Sequence, residues 1–320
     1  MSEHESLDLS AGQNIGSHNQ DGSMKPCMIN LSKCTKQEKA RYWSRVFGGI
    51  PTKRLAQMSK HQVIGGFDVA DVDIGDEPVK HKGKFKRESF PRKYELTPLA
   101  ADITLAPCEQ MYCDEVSGFT CETTDGATSA YIFACGSTGL EFTFLVKAKS
   151  DFYMVLGRMC KLADRYHWSI KTLYCDPAAE EWGGKTKTIA EIWNVEIIPQ
   201  PPNVWQEHSH QESAVKAITQ TARYYMHQAP WMGGCFWGGA LLYATYTRWF
   251  MSKENLKGHS SYFAAFKRFP AIRSLKLCPW GCPTQDQLVR TLGVLMMGIL
   301  YMCMKHPPCC IRRKQIRCIQ

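Results

Sequence analysis

The stretch from 129 to 176 constrains the fold most. It reads as "SAYIFACG" (129–136), "LEFTFLVKA" (140–148), "DFYMVLGRMCKLADRY" (151–166) and "IKTLYCD" (170–176). The first two segments, rich in aromatic and β-branched residues, predict two strands about a Ser-Thr-Gly turn. In the third, Phe152, Val155, Leu156, Met159 and Ala163 recur at helical spacing and predict one buried face. The fourth predicts a short strand, stopped by Pro177, with Asp176 at its end. Strands that precede helices build a sheet with helices on its faces, and ligands in such sheets lie beyond the carboxyl ends of the strands. A turn residue explains Asp176 taken alone. The neighbouring acids give it a second meaning.

The flanks extend the α/β pattern. "PLAADITL" (98–105) is strand-like and carries Asp102; "TIAEIWNVEIIPQ" predicts a short helix and a strand closed by Pro201 and Pro202. Residues 207–228 predict an amphipathic helix with Ala214, Ala217, Ile218, Thr221 and Tyr225 towards the core, and Glu212, Lys216, Thr219, Arg223 and His227 opposite. Residues 235–250 are apolar on most sides and predict a buried helix. Upstream, 38–60 is helical in part and broken by "GGIP" at 48–51.

This pattern divides the chain into a disordered leader (1–37), a small helical and irregular region with a basic, Pro-punctuated connector (38–96), a core (97–250), a post-core segment (251–287) and an apolar then basic, Cys-rich tail (288–320). The tail's uncharged run, 291–304, would span only about 21 Å as a helix, short of a ~30 Å bilayer core. A buried helix is therefore the expectation, with an anchor through Cys309 and Cys310 as the alternative. The 15 cysteines are odd in number and follow no regular spacing, and the first residues hold no apolar run. Reduced thiols in the nucleus or cytoplasm are expected. Cys278 and Cys282 form an isolated pair, read as structural. With 39 Lys and Arg against 30 Asp and Glu, the net charge of +9 favours a polyanionic partner.

Asp102, Asp176 and Glu212 come from three separate elements, with 35 residues between the last two. Brought together, such acids repel unless cations neutralise them. Hard oxygen ligands suit Mg²⁺ or Mn²⁺, and two such ions serve phosphodiester chemistry. Individually, a turn or a solvated face explains each acid, and for Glu212, expected in the first turn of its amphipathic helix, helix-dipole stabilisation does so too.

In order and spacing, residues 42–283 resemble the integrase region of copia-type retrotransposon polyproteins. "IKTLYCD" resembles that family's strand to its second Asp, "QESAVKAITQTARYYM" its Glu-bearing helix, and "CFWGGALLYATY" the helix after it. "YIFACGSTGLEFTFLVKAKSD" is similar to its central strand pair, and "SSYFAAFKRFPAIRSLKLCPWGC" to the segment that follows the core. The resemblance implies an RNase H-like mixed sheet flanked by helices and metal-dependent nicking and joining of DNA. It implies that Asp102, Asp176 and Glu212 hold Mg²⁺ or Mn²⁺, and that Lys216 and Arg223 contact DNA phosphates. It also implies a homo-oligomer, with no small-molecule substrate. Asp73 and Asp125 are rivals for the first acid.

The departures from that pattern point to a second reading. "YWSRVFGGIPTKRLAQMSK" resembles the pre-integrase region, yet the four zinc-ligand positions fall on Ser44, Gly49, Glu77 and Lys80. No zinc is expected there. An Asp-Asp pair in the central turn is replaced by Cys135 and Gly136, and "CDPAAEE" lacks the glycines of the turn after the second Asp. "CEQMYCDEVSGFTCETTDGA" reads as extra residues between Asp102 and Tyr131. The alternative is therefore a decayed or domesticated descendant that binds nucleic acid without catalysis.

Overall fold

A computed structural model describes residues 31–75, 79, 105–176, 183–199, 205–272, 275 and 277–281, with side chains left out at 205–211. Two helices open it. Helix α1 (Lys36–Val46) starts at Thr35, whose hydroxyl accepts from the Glu38 N–H while the Glu38 carboxylate accepts from the Thr35 N–H. This reciprocal pair satisfies donors that a helix start leaves unmade. Helix α2 (Thr52–Lys60) follows the expected break, and Trp43, Phe47 and Phe67 interlock beneath the two helices.

Among the described residues five strands follow: β1 (Gln110–Val116), β2 (Ser129–Cys135), β3 (Glu141–Val146), β4 (Thr172–Cys175) and β5 (Glu196–Pro199). Their order across the sheet is β3-β2-β1-β4-β5. β1–β2 and β2–β3 are antiparallel, whereas β1–β4 and β4–β5 are parallel. This mixed sheet, with helices on both faces, is the expected RNase H-like α/β architecture. Helices α3 (Phe152–Arg165) and α4 (Gly184–Trp193) make the two crossovers. Helix α5 (Trp205–Gln228) and the buried α6 (Trp237–Arg248) pack side by side, and a short α7 (Ser261–Phe266) follows.

Side-chain contacts assign the faces. Tyr131 and Phe133 of β2 meet Phe152, so α3 covers their side of the sheet. Thr143 of β3 shares a 2.6 Å hydrogen bond with Thr245, and Leu145 abuts Gly238, so α6 and its neighbour α5 cover the other side. Glu141 clamps α6 to the β3 edge. Its carboxylate accepts two 2.7 Å hydrogen bonds from the Arg248 guanidinium and one of 3.1 Å from Lys253. Burial alone would raise this carboxyl, but Arg248 and then Lys253 outweigh it and hold it at about 2. Lys253 is the weaker partner, because its own burial pulls its ammonium down despite Glu141.

The N-terminal helices seat on the back of α5. The Tyr225 hydroxyl donates to the Val46 carbonyl at 2.6 Å. Gly48 and Gly49, both at positive φ, approach Thr221 and Tyr224 so closely that an added Cβ would lie 2.5 Å from each. Two of the zinc-ligand positions are thus taken up by packing. Ser44 is fully buried and donates to the Ile50 carbonyl, while Gly49 makes room for the Tyr224 ring. Glu77 and Lys80 lie outside the described residues, as do residues 1–30 and 282–320, including Cys282, Cys309 and Cys310.

Two expectations need correction. Among the described residues, the first strand of the sheet is Gln110–Val116, inside the stretch read as extra residues. The strand-like 98–104 lies outside the described residues, and Leu105 sits in a bend. Helix α5 begins at Trp205, so Glu212 stands two turns inside it rather than in the first turn. The polar run before Glu212 has no apolar stripe to announce a helix, yet its backbone continues one.

Candidate active site

The parallel pairing of β1 with β4 builds the site. Its register matches Tyr112 with Tyr174, whose rings stack 5.1 Å apart on one face of the sheet. Side chains alternate along a strand. Two residues on, Asp114 therefore shares the Tyr112 face, and Asp176, just past the end of β4, continues the Tyr174 alternation. Both acids lie two residues beyond the last β1–β4 pair, Tyr112 and Tyr174, towards the carboxyl ends of these parallel strands, where an α/β sheet offers its ligand crevice.

The face is the one that α5 and α6 cover. Asp114 opposes Ile132 of β2, which opposes Thr143 of β3, the residue that meets Thr245 of α6. Glu115 occupies the α3 face instead, opposite Tyr131, and pairs with Lys149 at 2.6 Å. Asp114 is half-buried and Asp176 exposed. Sequence reasoning missed Asp114. The available signal was "MYCDEVSG", a buried triplet running into an acid and a glycine at φ +82, which ends a strand.

Asp102 lies outside the described residues. Its rivals fall in loops. Asp73 accepts from the Gly75 N–H in a turn of the N-terminal region, and Asp125 is exposed in the β1–β2 connection. Helix α5 follows its expected faces: Ala214, Ile218 and Tyr225 are buried, while Glu212, Lys216, Arg223 and His227 are exposed. Glu212 thus rides on the outer side of a helix that crosses the Asp114 face.

The donor set suits a hard divalent cation at the Asp114–Asp176 pair, because carboxylate oxygens are its preferred ligands. Closure is incomplete: among the described residues, no three His, Cys, Asp or Glu side chains come together to hold a metal. A separate groove of about 560 Å³, lined by Lys171, Lys187, Glu191, Asn194 and Glu196, opens where β4 and β5 begin, at the opposite end of the sheet. Among the described residues, no helix is long and apolar enough to cross a membrane.

No family model matches the chain, and no curated protein matches it. Solved structures do. The catalytic core domain of BIV integrase is similar with a TM-score of 0.38 and 12% identity, over 50% of this chain and 95% of that one. The HTLV-2 integrase catalytic core domain, solved in complex with magnesium in a trimeric form, is similar with a TM-score of 0.40 and 9% identity, over 50% of this chain and 98% of that one.

Proposed function

We propose that the chain is a metal-dependent polynucleotidyl transferase of the copia-type integrase class, which nicks DNA and joins strands. The observation that supports this reading is the register of β1 and β4, whose last pair, Tyr112 and Tyr174, lies two residues before Asp114 and Asp176 on the same face. Asp114 takes the role first given to Asp102. Asp114 and Asp176 would hold Mg²⁺ or Mn²⁺; Glu212, expected as the third acid, stands on the outer side of α5 and is not required for this pair. A bound divalent cation would supply the positive charge that activates an attacking oxygen and stabilises a leaving one. Lys216 and Arg223, exposed on the same helix as Glu212, contact phosphates and orient the duplex without reading its sequence. The net charge of +9 suits DNA, and the chain works as a homo-oligomer.

The unclosed triad favours a second reading, DNA binding without catalysis. Mg²⁺-dependent nicking and strand transfer on duplex oligonucleotides separate the two. Wild-type protein should nick and join. Asp114→Asn and Asp176→Asn should fall to background, while Asp102→Asn keeps activity. Full activity in Asp176→Asn would refute the assignment. Loss in Asp102→Asn with retention in Asp114→Asn would return the first position to Asp102. Wild-type protein that shifts DNA on a gel without cutting it would establish the second reading.

A further inference from the structure

Around α7 the chain gathers aromatic rings among exposed cations. The Phe263 ring lies 4.5 Å from His259 and 4.3 Å from Phe269, at 25° and 15° to them, and His259 and Phe269 stand 6.3 Å apart. Phe263 covers one side of Phe269, yet 42% of Phe269 stays open to solvent. The loop that carries Phe269 is pinned. The Pro270 carbonyl accepts from the Gly65 N–H at 2.7 Å, and the Ile272 N–H donates to the Gly65 carbonyl at 2.9 Å. A single exposed apolar side chain is ordinary on a protein surface. This one is held by ring contacts and backbone bonds, and it is bordered by charge. Lys267 follows Phe263 by four residues and so shares its side of α7. Lys267 and Arg268, both exposed, lead directly into Phe269. Gly258 abuts the His61 ring, where an added Cβ would lie 2.9 Å from Nε2, which brings exposed Lys257 and Lys60 to the same neighbourhood. Glu254 is the only acid from 253 to 269, and its charge acts on Arg54.

We propose that this cluster is a platform for single-stranded nucleic acid, with an unpaired base stacked on Phe269 and the adjoining phosphates held by Lys267, Arg268 and Lys257. Every base has a flat π face, so such a platform tolerates any sequence. A base within a duplex already stacks on its neighbours and does not offer that face, so the platform favours single strands. His259 and Phe263 fix the Phe269 ring in advance, which lowers the ordering cost of binding. The Ser261 hydroxyl donates to the Gly139 carbonyl at 2.9 Å, in the turn after β2. This contact sets α7 at the end of the sheet away from Asp114 and Asp176. The platform needs no metal, so it stands apart from the proposed strand transfer.

Fluorescence anisotropy of an oligothymidylate with the full-length chain, run in EDTA, tests this without any metal chemistry. An oligouridylate arm separates DNA from RNA as the source of the base. Wild-type protein should bind single strands. Phe269→Ala and Phe269→Leu should each weaken that binding about fivefold or more and leave duplex affinity unchanged, whereas Phe269→Trp should keep both. Lys267→Ala should lower the slope of log affinity against log salt by about 0.7. Full affinity in Phe269→Leu would overturn stacking, and so would equal losses for single strand and duplex. Absence of binding to either single strand would overturn the proposal outright. Photo-cross-linking of the wild-type chain to an iodouracil-substituted oligonucleotide decides the matter even if a variant fails to fold. Cleavage after Arg268 and Arg273 leaves Phe269 as the only aromatic residue on its peptide. That peptide should carry the label, and a label found only elsewhere would refute the site.

Discussion

One carboxylate at the β3 edge and three at the β1–β4 end and on α5 stand in opposite surroundings. Glu141, at the β3 edge, is buried and gripped by Arg248 and Lys253, and Trp249 donates to its main-chain carbonyl at 2.6 Å. Asp114, Asp176 and Glu212, at the β1–β4 end and on α5, range from half-buried to exposed. A buried acid persists only with full compensation, and Glu141 has it in the form of two cations and a bidentate geometry. Its charge serves the seam between α6 and the sheet. Asp176 and Glu212 are exposed and Asp114 is half-buried, so none of them needs the two-cation clamp that holds Glu141.

The largest effect should come from breaking the buried set. Arg248→Ala strands the Glu141 charge and should cost about 3–5 kcal/mol, read as a fall in the urea midpoint. Asp176→Asn should change stability by no more than about 0.5 kcal/mol, whatever it does to activity. Equal losses in the two variants would erase the distinction. Acid adds a second handle. The Glu141 pKa is depressed from 4.5 to about 2 on folding, so its contribution is present above about pH 4.5 and is lost as pH falls towards 2. Glu141→Gln should flatten the stability profile in that window, compared with wild type.

A smaller effect should come from the support behind α5. Gly49 and Gly75 have nearly the same backbone, φ +74 and +72, but an added Cβ meets Tyr224 at 2.5 Å in the first and nothing within 4 Å in the second. Tyr224 is 1% exposed, so its ring has nowhere to retreat. Gly75→Ala should cost about 1 kcal/mol for its left-handed backbone, and Gly49→Ala about 2 kcal/mol more through overpacking. Thermal melts of the two variants give the difference directly. Matching melts would mean that the N-terminal helices do not press on α5 as described.

Much of this architecture was legible because packing and periodicity coincide. Phe152, Val155, Leu156, Met159 and Ala163 form the buried stripe of α3, and the two strands before it appear where their aromatics place them. β1 was hidden by its own chemistry. Met111, Tyr112 and Cys113 are buried, but Asp114 and Glu115 follow at once and break the apolar pattern that marks a strand. The β1–β4 register, a long-range property absent from any short window, is what recovers Asp114.

The smallest expected effect lies on the outer side of α5. Lys216 and Arg223 are seven residues apart, about two turns or ~10 Å along the axis, and both are exposed. A duplex lying along this side would meet them at successive phosphates. Each phosphate contact releases condensed counterions, so removing one should lower the slope of log affinity against log salt by about 1. The double change Lys216→Ala with Arg223→Ala should lower it by about 2, weaken binding similarly for unrelated duplexes, and leave the melting temperature in place. A slope that stays unchanged would move the DNA path off this helix while leaving the Asp114–Asp176 pair intact. A loss restricted to one duplex sequence would mean that these side chains read bases rather than backbone, contrary to what two solvated cations on a helix face can do.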